Sequence, residues 1–217
     1  RVRARPPVHK PGTHRGRGTL NRAGHTGRVN RTPIMDLAEV EAAARAAHTG
    51  QTDKAAGPYA EHLQAVAEGV RLRGGDDEQI AAAWLHDAVE DQGGLATQTA
   101  IAERFGPSIA GMVAGCSDSD DSPKPPWRVR KEQYIARLHT ATPSVRLIAA
   151  ADKLHNIRSL LADYRRMGGD LWQHFRGGRE GTLWYYRAVV NALRAHDDRR
   201  IVDELEQAVS DFERAVE

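Results

Sequence analysis

Residues 81–91 read AAAWLHDAVED, and this stretch decides what kind of protein the chain is. Its alanines, Trp84, Leu85 and Val89 favour a helix that is apolar around most of its girth, begun near Asp77 and Glu78 and stopped near Gly93-Gly94. Residues three and four apart share a side of a helix, which puts His86, Asp87, Glu90 and Asp91 in one sector of that surface. Three like charges within five residues repel one another, and packing them among apolar groups is costly unless a cation compensates. A divalent metal answers the conflict: imidazole nitrogen and carboxylate oxygen both suit first-row ions, and adjacent His86 and Asp87 can face one ion where a helix bends. Taken alone, the stretch reads equally well as a surface helix with a few acids.

Two further segments change that balance. In IAAADKLHNIRSLL (148–161), Asp152 follows four small apolar residues, and Asp152, Asn156 and Ser159 lie at i, i+4 and i+7 on one helical face. A carboxylate buried there needs a partner. Lys153 and Arg158 are expected to point away from the Asp152 face, which leaves a metal or another ligand. In GPYAEHLQAVA (57–67), Pro58 suits the first turn of a helix, and His62 lies one turn before Val66 on the buried side.

The rest of the text reads as helix after helix, with no sustained alternation of apolar and polar residues. The predicted fold is all-α, a bundle of roughly eight to ten helices. Helices are expected over 36–48, 59–73, 77–92, 97–105, 107–115, 127–140, 143–165, 179–195 and 199–216. SDSDDSPKPP (117–126) is expected to be a loop. The 217 residues carry 31 Lys plus Arg against 29 Asp plus Glu, but nine of the basic residues and no acid fall in residues 1–32, so the remainder is acidic, 22 against 29. The segment 1–34 is rich in Arg, Gly and Pro and is expected to be a disordered basic tail. It reads either as an arm for nucleic acid or, since Met35 opens the helical text, as an extension foreign to the native protein. Residues 35–217 are then one domain. No apolar run reaches the roughly 18 residues a membrane span needs, and a single cysteine, Cys116, excludes an internal disulfide framework; a cytoplasmic setting fits best.

Taken in order, HTGQTDKAAGPYAEHL, AAAWLHDAVED and AAADKLHNIRSLL resemble the HD-domain hydrolases, and among them the hydrolase domain of the RelA/SpoT family and the small alarmone hydrolases. The resemblance covers about residues 37–193. It implies an HD-type helical bundle and removal of the 3′-pyrophosphate from guanosine-3′,5′-bis(diphosphate), ppGpp, or its pentaphosphate pppGpp, with one divalent ion, usually manganese. Carried over by motif, the metal ligands are His62, His86, Asp87 and Asp152. Glu90 and Asp91 match the pair that orients the attacking water and moves its proton. Asn156, Ser159 and Lys54 match positions that contact the nucleotide.

Departures from the family pattern are as informative. Asp53 stands where the family often has a second basic residue before the G-x-P-Y turn, which removes a cationic or stacking contact to the nucleotide and admits another substrate such as NADPH. The segment 117–134 is longer than in the long alarmone enzymes and supplies Arg128, Arg130 and Lys131, which could clamp phosphate or form a solvated face. His48 and His155 are read as packing or supporting residues, and the aromatic block 170–193 as packing of a late helix on the bundle. Only 24 residues follow position 193, too few for a synthetase domain, so the expected enzyme degrades its nucleotide. A third reading, a nucleotide-sensing or nucleic-acid-associated module with an inert metal site, predicts binding without turnover.

Overall fold

The structure, a computed structural model, describes residues 35–53, 57–119, 123–196 and 199–217. The basic tail and Lys54 lie outside the described residues. Met35–Glu217 form one compact unit. Among the described residues there are ten α-helices and one 3-10 helix, with an isolated bridge between Thr52 and Pro58 as the only extended pairing. The helices are α1 (Leu37–Ala47), α2 (Tyr59–Arg71), α3 (Asp77–Leu85), α4 (Ala88–Gln92), α5 (Leu95–Phe105), α6 (Pro107–Cys116), α7 (Trp127–Leu138), α8 (Pro143–Met167), α9 (Gly178–Arg194) and α10 (Arg199–Val216). None is long and apolar enough to cross a membrane.

Local sequence sets most of the boundaries. Asp36 accepts from Ala38 N to cap α1, Asp76 and Gln79 form a capping box at α3, and Thr142 caps α8 ahead of Pro143 in its first turn. Gly168, at φ 59°, ends α8 in a conformation that costs glycine little. The chain then continues as the 3-10 helix Gly168–His174, where the sequence had pointed only to a break.

The centre of the bundle is α8 and α3. Helix α8 packs against α10, α2 and α6, while α3 packs against α2, α6 and α1. Around them Ile148, Ile157, Leu63, Val66, Phe212 and Leu205 are fully buried. Burial of such side chains contributes about 1.5–3 kcal/mol each, which holds the three site-bearing helices α2, α3 and α8 in one register. Helix α6 comes close to α8 because position 115 is glycine: a Cβ there would meet Val145 Cγ2 at 2.7 Å.

One helix departs from the sequence reading. The helix expected to run on to Gly93 stops at Leu85, with His86 as its C-cap, and restarts at Ala88. His86 Nδ1 is 2.8 Å from the Ala83 carbonyl, an acceptor that a continuing helix would give to the backbone N–H of Asp87. The side chain competes with the ladder, and the bend falls at the His-Asp pair.

Candidate active site

Helices α2, α3 and α8 each deliver one part of a buried cluster. His62 comes from α2, His86 and Asp87 from the break after α3, and Asp152 from the middle of α8. His62 Nε2 and His86 Nε2 are 3.2 Å apart, and Asp87 Oδ2 lies 3.5 and 3.0 Å from them. Asp152 Oδ1 lies 3.5 Å from His62 Nε2 and 3.8 Å from His86 Nε2. His62, His86 and Asp87 form the tightest group, each offering one atom within 4.8 Å of the others. Two adjacent donors about 2.0–2.2 Å from one ion sit roughly 3–3.6 Å apart in octahedral or tetrahedral arrangements, so four of the five spacings fit a shared cation, and the fifth, 3.8 Å, lies just beyond that range.

The surrounding hydrogen bonds also favour ligation. His86 Nδ1–H donates to the Ala83 carbonyl, which turns the Nε2 lone pair inward. His62 Nδ1 is 2.9 Å from His155 Nδ1, so the His62 proton can sit on Nδ1 and leave its Nε2 free as well. Burial, followed by the His62 imidazole, holds His155 below the ordinary range, which suits it as an uncharged acceptor. Tyr59 donates its hydroxyl to Asp87 Oδ2 at 2.5 Å; burial first, and then the Asp87 carboxylate, push that hydroxyl far up, so it remains a donor. Burial alone would pull His86 down, but Asp87 and Asp152 override it and hold the imidazole well above its ordinary value in the ion-free site. Asp87 and Asp152 are held low, against burial, chiefly by His86 and Lys153 respectively.

The cluster opens on a cleft of about 610 Å³. Its lining includes Gln51, Glu90 and Asp91, Asn156 and Ser159 of α8, and Arg130, Lys131 and Trp127 of α7, with Arg130 Nη1 3.8 Å from Glu90 Oε1. Glu90 is paired with Lys124 Nζ at 2.9 Å. Burial, and after it the Asp118 carboxylate, raises the Glu90 carboxyl above the usual range, with Lys124 opposing.

Two sequence expectations are corrected, for Arg128 and Lys153, and Asn156 gains a second contact. Arg128 is exposed, stacks over Trp184 with its guanidinium carbon 3.3 Å from the ring centroid, and pairs with Glu132; it is absent from the cleft lining. Lys153 does not point away from Asp152 but ion-pairs with its Oδ2, because a four-carbon stem lets Nζ fold back to the preceding residue. Asn156 lines the cleft, but its amide donates to Asp152 Oδ1, which makes it a neighbour of the cluster as well.

Asp118 was missed in the sequence. It is 4% exposed, and its carboxylate accepts from Arg130 and from Lys131, each at 2.6 Å, while Arg137 holds the Ser117 and Asp118 carbonyls. Its carboxyl is held low despite burial, by Lys131 and then Arg130. The folded-state value lies below the unfolded one, so the stabilisation is present above the ordinary carboxylate range and lost as pH falls through the lowered value. Asp118→Ala leaves two cations without their shared anion and is expected to cost about 3 kcal/mol at neutral pH. Urea unfolding at pH 7 checks it; a loss under about 1 kcal/mol, the scale of an exposed pair, would show the ion pairs to be solvent-screened.

The all-α bundle brings His62, His86 and Asp87 together as a group that could hold a metal ion, and the family model described as HD domain matches residues 40–183, more than half of the chain. The chain belongs to the HD-domain family, whose members are metal-dependent. It is 34% identical over 181 residues to the bifunctional (p)ppGpp synthase/hydrolase SpoT of Escherichia coli K12, covering 79% of this chain and 24% of that protein. It is 35% identical over 108 residues to guanosine-3′,5′-bis(diphosphate) 3′-pyrophosphohydrolase MESH1 of Danio rerio, covering 48% of this chain and 56% of that one. The chain thus spans about a quarter or less of the bacterial relatives and about half of the fish protein. Among solved structures, lmo0812 from Listeria monocytogenes EGD-e superposes with a TM-score of 0.62 at 27% identity, covering 69% of this chain and 96% of that one. A metazoan ortholog of SpoT, described as hydrolysing ppGpp, superposes with a TM-score of 0.67 over 83% of this chain and 96% of that one; at 24% identity this likeness concerns the fold.

Proposed function

We propose that residues 35–217 form a metal-dependent phosphohydrolase unit that removes the 3′-pyrophosphate of ppGpp or pppGpp, giving GDP or GTP and pyrophosphate. The observation that carries this reading is the convergence of His62, His86, Asp87 and Asp152 on one point, open to a cleft that also holds paired acids and cations. The names of the relatives support the substrate. The four residues would hold one divalent ion, with manganese as the proposed metal, although the donor set also suits iron, cobalt or zinc. When bound, the ion supplies charge neutralisation at the phosphate and lowers the pKa of an attacking water.

The chain's own groups then have separable tasks. Asp91 takes the proton of the water. Glu90, raised by burial and Asp118, is suited to pass a proton to the departing 3′ oxygen as the P–O3′ bond breaks. Arg130 and Lys131, fixed by Asp118 in the cleft lining beside Glu90, are suited to meet phosphate oxygens. Ser159 and Asn156 offer hydroxyl and amide groups to the sugar.

The test is incubation of the purified protein with manganese and a panel of ppGpp, pppGpp, NADPH, GTP and deoxynucleotides, with products identified by chromatography and mass. Pyrophosphate release from ppGpp and pppGpp alone is the expected result. Preferential attack on NADPH, or binding without turnover of any member, would overturn it.

A further inference from the structure

We infer that His48 and Gln51 are positioning residues that hold the Asp91 carboxylate fixed on the wall of the cleft. The inference rests on the role given to Asp91 under the proposed function. Gln51 Nε2 lies 2.8 Å from Asp91 Oδ2, and Gln51 Oε1 lies 2.8 Å from His48 Nδ1. The hydrogen positions follow by elimination. A carboxylate only accepts, so the amide nitrogen of Gln51 must face Asp91 and its oxygen must face His48; His48 therefore donates from Nδ1.

The far end of this chain of bonds is well anchored. His48 is 3% exposed, caps the end of α1, and stacks on Tyr59 with ring centroids 5.2 Å apart and planes 28° from parallel. Among the described residues its buried Nε2 has no partner, which is the less costly arrangement if that nitrogen carries a lone pair and the proton sits on Nδ1. Gln51 N also bonds the His48 carbonyl at 3.0 Å, and Tyr59 N bonds the Gln51 carbonyl at 3.0 Å, so backbone and side chain fix the loop together.

Asp91 itself has little else to hold it. It is exposed and stands on α4, a helix of only five residues. Among the described residues its side chain has one hydrogen-bond donor, Gln51, bound at Oδ2. That leaves Oδ1 for a ligand in the cleft. Tyr59 extends the coupling, since the ring that stacks on His48 also donates its hydroxyl to Asp87. His48, Gln51 and Tyr59 thereby set both a proposed metal ligand and a proposed proton acceptor.

The experiment is a double-mutant cycle in the full chain loaded with manganese, using whichever phosphoester the panel shows to be turned over. Gln51→Ala is expected to lower kcat about 10- to 100-fold, part of the roughly 10²–10⁴-fold that a positioned acid or base supplies, with KM and manganese affinity changed by no more than about twofold. Asp91→Asn and the double variant Asp91→Asn/Gln51→Ala should then share one kcat within about twofold, because Gln51 acts only through Asp91. Losses that multiply, or a Gln51→Ala enzyme with unchanged kcat, would overturn the positioning role while leaving Asp91 in place. An Asp91→Asn enzyme with full kcat would instead remove Asp91 from the reaction, and the positioning role with it. A second measurement needs no turnover: ring 15N shifts should give His48 as the Nδ1–H tautomer, and Nε2–H would overturn the network even in an inactive protein.

Discussion

Replacing His86 by alanine is expected to empty the metal centre and abolish turnover, the largest single effect on this protein. The imidazole is 1% exposed, contributes one of the two nitrogens that lie 3.2 Å apart, and is aimed by the Ala83 carbonyl. Losing an outer partner of a metal ligand costs roughly 10- to 100-fold; losing the ligand itself should exceed that range in kcat/KM and remove bound metal in proportion. Calorimetric titration with manganese, alongside kinetics on the best substrate, reads both. Full activity in the variant would place the chemistry elsewhere in the molecule.

The same residue links metal uptake to pH. In protein stripped of metal, Asp87 and Asp152 hold the His86 imidazole well above its ordinary value in spite of burial. A folded-state value above the unfolded one stabilises the fold fully below the unfolded pKa, near 6.5, and that contribution is lost as pH rises through the folded value. Metal binding needs the unprotonated nitrogen, so the ion displaces that proton and its affinity rises with pH. Stripped protein is therefore expected to lose thermal stability as pH rises above about 6.5, and loaded protein to be spared that loss.

How far the sequence revealed this site depends on what kind of signal each residue left. The helices were legible because apolar periodicity and the Gly and Pro residues between segments mark them, with side-chain caps adding to this at α1, α3 and α8, and three motifs far apart in sequence each placed a metal-type ligand on an apolar helix. A bend at the His86-Asp87 pair was raised by the sequence, but a full break there was not legible, since it depends on a side chain taking an acceptor from the backbone ladder. The split between Arg128 and Arg130 could have been found: Arg130, Tyr134 and Leu138 recur every four residues and form the buried face of α7, whereas Arg128 lies half a turn away. Asp118 left no such trace, because a loop acid has no period and its importance comes from α7 folding back over it. Likewise Gln51 and His48 became meaningful only when α4 was seen against the end of α1.

Glu90→Gln carries the other large expected effect, and it separates chemistry from metal binding. The substitution keeps the side chain's shape and an oxygen for Lys124, and the partners of Glu90 are Lys124, Arg130 and Asp118 N, so metal content should match the parent protein. Loss of general acid or base action should nonetheless lower kcat by about 10²–10⁴. The pH profile gives the direction of proton transfer. Burial and Asp118 raise the Glu90 carboxyl above 4.5, so the limb it governs lies above the ordinary carboxyl range and should vanish in the variant. If Glu90 gives a proton to the leaving oxygen, kcat falls as pH rises along that limb; if it takes one, kcat rises. An unchanged profile would remove Glu90 from the reaction. Stability provides an independent reading of the same carboxyl. With a raised folded-state value, the native protein binds the proton more tightly than the unfolded chain, so stability falls as pH rises from 4.5 through the raised value. Glutamine has no proton to lose, and the Tm difference between variant and parent should therefore move in the variant's favour across that window.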